Sequence, residues 1–433
     1  MDTLIRILQV VLSLSLLIVI HEAGHFFWAR VFRIKVDKFY LFFDFGGKRI
    51  ARWKWGETEF GIGWFPLGGY CKIAGMVDES VDMEQLRQEP KPWEFRSHRA
   101  SHRLLVLAGG VLNNFLFALL CHMLIMGLWG NTYIANQGTK IYAGELACEM
   151  GFRTGDEILA LDDYVPENFG MLQADLARRD VSVAKVLRDN DTLSIYIDRS
   201  LIPDVLNSGA MFGIALPFVV DSIPGNGPNA SCGLQKGDRV ISFDSEPVQF
   251  LQDAREVLSH LKGRQVQALA LRDADTLAFS VQVDTSGTVG VYLQMPDIRH
   301  EEYDFFQAVP AGWKYTCDML GGYLRDLRLL ATPSSGAYKS VGSFVAIGQV
   351  FPATWDWHQF LDILALLSIM LAVMNLIPIP GLDGGHILFV LVEMFTGHKP
   401  SEKFLMTAQM IGFVLLAALM MLAFGNDIGR LIR

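Results

Sequence analysis

The chain is poor in the residues that build several common kinds of site. Its five cysteines, Cys71, Cys121, Cys148, Cys232 and Cys317, are scattered through 433 residues with no CxxC pair. That excludes a zinc ribbon and a dense disulfide framework. No basic run stands apart from apolar flanks, so a nucleic-acid-binding arm is not expected. Charged residues make up only 19% of the chain, while 51% is hydrophobic and the mean hydropathy is +0.28. Such a chain is too apolar for a purely soluble enzyme and too charged for one lying wholly in lipid, so a mixture of membrane helices and water-exposed parts is expected. The first apolar stretch also lacks a small-residue cleavage site, so it reads as a retained span and not a signal peptide.

Long apolar runs are present. Four windows, from about Ile7 to Ala29, Leu104 to Trp129, Ile363 to Leu382 and Phe404 to Phe424, are long enough to cross a bilayer. The expected spans are residues 1–30, 104–130, 360–383 and 404–425. Arg30, Arg33, Lys35 and Lys38 follow the first span, and Arg96, Arg99 and Arg103 precede the second. By the positive-inside rule residues 31–103 then lie in the cytoplasm, with both termini and the long segment between the second and third spans on the far side. Lys399 and Lys403 put the last short loop back in the cytoplasm. The net charge of −9 adds little, because the placement of Lys and Arg decides orientation.

Inside the first window the chain reads His21-Glu22-Ala23-Gly24-His25. Histidines at i and i+4 share one helical face and can converge on one Zn²⁺, while Glu22 is placed to take a proton from water at the metal. A charged group at the bilayer centre costs roughly 2.5–3.5 kcal/mol even on the lenient insertion scale, so such a set inside a span points to function. A catalytic zinc usually has three protein ligands. The third is expected at the end of the third span, in Asn375-Leu-Ile-Pro378-Ile-Pro380-Gly381-Leu382-Asp383-Gly384-Gly385-His386, where two prolines break the helix before a carboxylate. First and third spans run in the same direction, which puts His21, His25 and Asp383 at a common depth.

Residues 130–300 carry an internal repeat: Gly151-Phe-Arg-Thr-Gly155-Asp156-Glu-Ile158 returns 82 residues later as Gly233-Leu-Gln-Lys-Gly237-Asp238-Arg-Val240. Each turn leads into a short β-rich run and resembles the turn of PDZ domains in bacterial envelope proteases, which implies two α+β domains at 131–219 and 220–300 that bind peptides or screen substrates. Between Phe39 and Ile73, aromatic residues punctuated by Gly46-Gly47, Gly61, Gly63 and Gly68-Gly69 predict hairpins beside the membrane, one of which could capture an unwound substrate backbone. In residues 301–359, Trp313, Leu320, Leu324, Leu327 and Ala331 recur at helical spacing among Lys314, Arg325 and Arg328, predicting an amphipathic helix on the membrane or against the core.

Taken together, these marks resemble the site-2 protease family of intramembrane zinc metalloproteases, in its RseP-type bacterial branch. They are HExxH at His21 to His25, the Gly68-Gly69-Tyr70 loop, tandem PDZ-like repeats and N-x-x-P-x-P-x-L-D-G from Asn375 to Gly384. The resemblance spans almost the whole chain. It implies a polytopic α-helical membrane protein with four transmembrane helices, membrane-associated β-hairpins and two α+β PDZ domains. It further implies Zn²⁺ held by His21, His25 and Asp383, Glu22 as general base, and Asn375, Pro378, Gly68, Gly69 and Tyr70 contacting substrate. Implied partners are the lipid bilayer and transmembrane substrates, an anti-sigma factor and remnant signal peptides among them, with no nucleic acid. The implied setting is a bacterial inner membrane, with the active site toward the cytoplasm and the PDZ pair and both termini periplasmic. Two departures concern local helix geometry: Val111 stands where a proline is frequent, and Ser340-Val-Gly-Ser343 where relatives tend to show Ser-Gly-Pro. Asn113 and Asn114 read as interhelical glue, His386 as a partner for Asp383, and His98, His102 and His122 as structural. A silent scaffold is disfavoured by an intact Glu22 and ligand set, and a transporter by the single proline-broken helix.

Overall fold

A computed structural model describes residues 2–76, 89–332, 342 and 344–432. Ser340-Val-Gly-Ser343 thus falls almost entirely outside the described residues. The chain divides into two compact units, one holding the apolar helices and the other Asn131–Glu301.

The first unit is built from α1 (Asp2–Val31), strands β1 (Val36–Phe43), β2 (Arg49–Trp55), β3 (Thr58–Gly63) and β4 (Phe65–Ile73), and then α2 (Ala100–Trp129), α3 (Phe305–Leu330), α4 (Trp357–Leu376), α5 (Asp383–Thr396) and α6 (Glu402–Ile432). Among the described residues four helices are long and apolar enough to cross a membrane, over Thr3–Val31, Ala100–Trp129, Trp357–Leu376 and Lys403–Asp427. The third ends earlier than the expected 360–383. Pro378 and Pro380 lack an N–H and push the residues before them out of helical geometry, so α4 stops at Leu376 and Ile377 turns to extended backbone. Asp383 instead opens α5, a separate helix that ends at Gly397 with φ 72°. Its 14 residues span about 21 Å, too short to cross a bilayer.

Helix α2 is the central post, contacted by α1, α4 and α5. Gly24 of α1 and Gly109 of α2 meet backbone to backbone, leaving no room for a side chain on either. Such bare crossings let helices approach closely in an environment without a hydrophobic drive between them. The amphipathic segment forms α3, and it packs on α2 through small residues. A Cβ at Gly312 would come within 2.8 Å of the Met123 nitrogen, and Thr316 Oγ1 bonds His122 Nδ1 at 2.8 Å.

The four strands form one sheet in the order β2-β3-β1-β4. Only β2 and β3 make a local hairpin; β1 pairs parallel with β3 and antiparallel with β4. That leaves β4 an edge strand among the described residues, lying on α1. At Gly69 the approach is closest, since a Cβ there would sit 2.6 Å from Ile18 Cγ2.

The second unit repeats itself in structure as in sequence. Its first half holds strands Glu157–Leu161, Val183–Arg188 and Asp191–Tyr196 with helix Leu172–Arg178, over a core that includes Phe152, Ile158, Leu172, Leu176 and Val186. The second half holds strands Arg239–Phe243, Gln265–Arg272 and Asp275–Gln282 with helix Leu251–His260, over Phe218, Val240, Phe243, Ala254 and Val281. The shared turn is clamped identically. Arg188 Nε donates to Asp156 and Arg272 Nε to Asp238, both at 2.7 Å, and each guanidinium also reaches the carbonyl of Gly151 or Gly233. Cys148 and Cys232 are both free thiols here.

Candidate metal centre

Two helical turns of α1 and the first residue of α5 supply three converging ligand atoms. His21 Nε2 lies 3.1 Å from Asp383 Oδ2, His25 Nε2 lies 3.3 Å from the same oxygen, and the two Nε2 atoms are 3.3 Å apart. A zinc ion with bonds of about 2.0–2.1 Å in tetrahedral geometry requires ligand-to-ligand edges of about 3.3–3.4 Å. The triangle is therefore one face of such a tetrahedron, which leaves a fourth position for water or substrate. Asp383 Oδ2 is buried and makes no hydrogen bond. It lies within 3.3 Å of both ring nitrogens, where a single cation would meet all three donors. His21, His25 and Asp383 are the one such ligand group among the described residues, and their nitrogen and oxygen donors suit Zn²⁺.

The outer ring contacts come from a single stripe of α2. His25 Nδ1 meets the Val106 carbonyl at 2.9 Å, and a carbonyl only accepts, so that nitrogen carries the proton and Nε2 presents a lone pair. Gly110, one turn on, supplies bare backbone: a Cβ there would fall 2.5 Å from His25 Nε2 and 2.6 Å from His21 Cε1. Asn114, a further turn on, places its amide 3.2 Å from His21 Nδ1. Its neighbour Asn113 binds the Ile20 carbonyl at 3.2 Å and acts as a tie between α1 and α2.

Of the other residues singled out in the sequence, Glu22 is half-buried beside both histidines and Asp383, and it takes a backbone hydrogen bond from Cys71 of β4. Asn375, near the end of α4, brings Nδ2 to 3.3 Å from His21 Nε2. Pro378 is exposed in the break after α4, where its visible effect is to end that helix. Gly68, Gly69 and Tyr70 lie on β4. Tyr70 donates to Asp44 Oδ1 at 2.9 Å and stacks on Tyr40, and burial with the Asp44 bond pushes its phenol above the ordinary range. His386 lines a cleft with Phe95, Arg103 and Glu393, Arg103 and Glu393 forming an ion pair. His102 stacks on Phe32, and His122 is held by Thr316. Sequence reasoning missed Gly110 and the metal-side place of Asn114. The signal was available as a Gly and an Asn at i and i+4 on one apolar helix.

Two histidines and a glutamate on a helix of membrane length, met by an aspartate at the start of the short helix α5, form a candidate metallopeptidase site. The chain belongs to peptidase family M50, whose profile matches residues 9–419. It is a zinc metalloendopeptidase and a polytopic membrane protein. Similar proteins include the regulator of sigma-E protease RseP of Escherichia coli K12, 28% identical over 97% of this chain and 98% of its own length. The regulator of sigma E protease of Salmonella typhi has the same identity and coverage. A Neisseria meningitidis protein, provisionally named a zinc metalloprotease, is 26% identical over 98% of this chain and 99% of its own.

Proposed function

We propose that this endopeptidase cleaves single-span membrane proteins within or near the bilayer, after another protease has trimmed their exterior domain. The observation that carries the reading is the position of His21, Glu22 and His25 in a helix apolar enough to cross a membrane. A soluble substrate has no reason to be met there, and burying such polar groups in lipid has a cost that function must offset.

His21, His25 and Asp383 hold the zinc, which when bound supplies a Lewis acid that polarises a carbonyl and brings the pKa of water down to about 7. Glu22 takes the proton of the attacking water and returns it to the leaving amine. The Asn375 amide is within reach to donate to the scissile carbonyl oxygen. A transmembrane helix hides its carbonyls in internal hydrogen bonds, so it must unwind before attack. Edge strand β4 offers the unwound backbone a ladder to join. Its Cys71 amide already faces Glu22, which supports placing that ladder beside the base.

Residues 131–219 and 220–300 serve as PDZ domains that screen what a substrate carries outside the membrane, a reading supported by the duplicated clamped turn. The bacterial relatives favour an inner membrane, and the basic flanks favour the site toward the cytoplasm with this segment periplasmic. Relatives that carry the name regulator of sigma-E protease favour a role in a sigma-E pathway, and the resemblance to the site-2 protease family adds an anti-sigma factor and remnant signal peptides as the substrates. The test is cleavage of a model single-span protein by the zinc-loaded enzyme in lipid nanodiscs. Cleavage inside the span, stopped by a chelator and restored by zinc, is expected. Cleavage confined to soluble loops sinks the proposal.

A further inference from the structure

A histidine that binds zinc through Nε2 must keep its proton on Nδ1, and that proton needs an acceptor. For His25 the acceptor is the Val106 carbonyl. For His21 the group at Nδ1 is the side-chain amide of Asn114, 3.2 Å away and wholly buried. With the amide nitrogen turned to the ring, as the atoms stand, Nδ1 must accept. The proton then sits on Nε2, where it points at Asp383 and His25 and blocks a metal. In this orientation Asn114 Oδ1 is also buried with no hydrogen bond. The two ends of an amide have nearly the same shape, and hydrogen-bond chemistry decides which end faces a partner.

We propose that Asn114 is a positioning residue of the metal centre: its amide oxygen accepts the Nδ1–H of His21 and so holds the Nε2 lone pair toward zinc. This role rests on the reading of His21, His25 and Asp383 as zinc ligands. The oxygen-in orientation is a half-turn about the last side-chain bond and moves no backbone. The backbone is independently fixed, because Ser368 of α4 donates its hydroxyl to the Asn114 carbonyl at 2.8 Å. Gly110 holds the same two rings from one turn away, with no side chain to spread them. Val106, Gly110 and Asn114 thus present an acceptor, a bare surface and an acceptor along one face of α2, matched to histidines that are themselves four residues apart. A plain interhelical tie would require only that Asn114 bond something. The positioning role requires an acceptor at that point.

The test uses the full-length protein in detergent, with zinc affinity read by competition against a chromophoric chelator and geometry read from the visible absorption of the cobalt-substituted form. Asn114→Leu, which fills the space without an acceptor, should weaken zinc binding by about 10–100-fold, as losing such a partner does elsewhere. Asn114→Asp keeps an acceptor and should bind zinc within about threefold of the unmodified protein. Equal loss in both variants would show that the intact amide ties helices and nothing more, and would overturn the role. So would unchanged zinc affinity in Asn114→Leu. Should Asn114→Leu fail to fold, Asn114→Asp alone decides, since a folded aspartate variant that loses zinc tenfold contradicts the proposal. His21→Ala is run beside them. If it binds zinc normally, the ligand reading itself has failed, a result distinct from failure of the Asn114 role.

Discussion

Glu22 sits beside three ligand atoms without joining them, and that separation predicts how two substitutions differ. Glu22→Gln should keep zinc while cleavage slows by roughly the 10²–10⁴-fold typical of losing an acid–base group; Asp383→Asn should lose metal and activity together. Unmodified cleavage by a zinc-loaded Glu22→Gln protein would exclude its role as base. In the second unit, Asp238 behaves as a structural carboxylate. The Arg272 guanidinium holds it below the usual carboxylate range. A depressed folded-state value means the pair stabilises fully above about pH 4, the unfolded range, and progressively less as pH falls through the folded value. Hydrogen exchange in strand Gln265–Arg272, corrected for its intrinsic pH dependence, should show protection steady from pH 8 to 5 and falling below about pH 4. Asp238→Asn should lower protection at neutral pH and flatten that fall, and an undiminished fall would assign it to other groups. His21, His25 and Asp383 were legible because their chemistry is local or tied to a proline break. The difference between Asn113 and Asn114 was not. Which of two neighbours faces His21 depends on the rotation of α2 against α1, set by the contact of Gly24 with Gly109.

Strand β4 reaches Glu22 because its backbone lies directly on α1. Gly69 meets Ile18, three residues before the first histidine, and a Cβ would overlap it at 2.6 Å. Gly69→Val should therefore push the strand away from the helix and reduce kcat/KM on the order of 10²-fold, the scale of an ångström-sized misplacement, with zinc content unchanged. Loss of zinc in step with activity would mean that the strand supports the metal site and does not present substrate. The glycine-rich run predicted hairpins, and β2 with β3 is one. The parallel pairing of β1 with β3 was not legible, because hairpin logic joins sequence neighbours while this contact skips β2. That pairing leaves β4 at the edge. The break after α4 was legible in Pro378 and Pro380, whereas α5 hid inside an apolar run whose short length emerges only once Asp383 is known to begin it.

At the scale of the whole molecule the question is what the second unit adds to a candidate metal centre built from residues of the first. Its duplicated turn announced itself in the sequence at a spacing of 82 residues, and the Arg188 and Arg272 clamps repeat with it. In the proposed reading the duplicated modules screen substrate, since the candidate ligand group among the described residues draws nothing from either copy. If discrimination is steric, a bulky exterior domain is refused while a trimmed stub is admitted, and affinity for the substrate need not change. Deleting about residues 135–300 should then permit cleavage of untrimmed substrate and leave cleavage of the trimmed form largely intact. The comparison is made at equal expression with zinc content measured, because removing so long a connection can also misfold the helices. Abolished cleavage of trimmed substrate at full zinc content would make the modules docks or supports. Continued refusal of untrimmed substrate would move the exclusion to another element, for which the amphipathic face of α3 around Trp313 is the next to mutate.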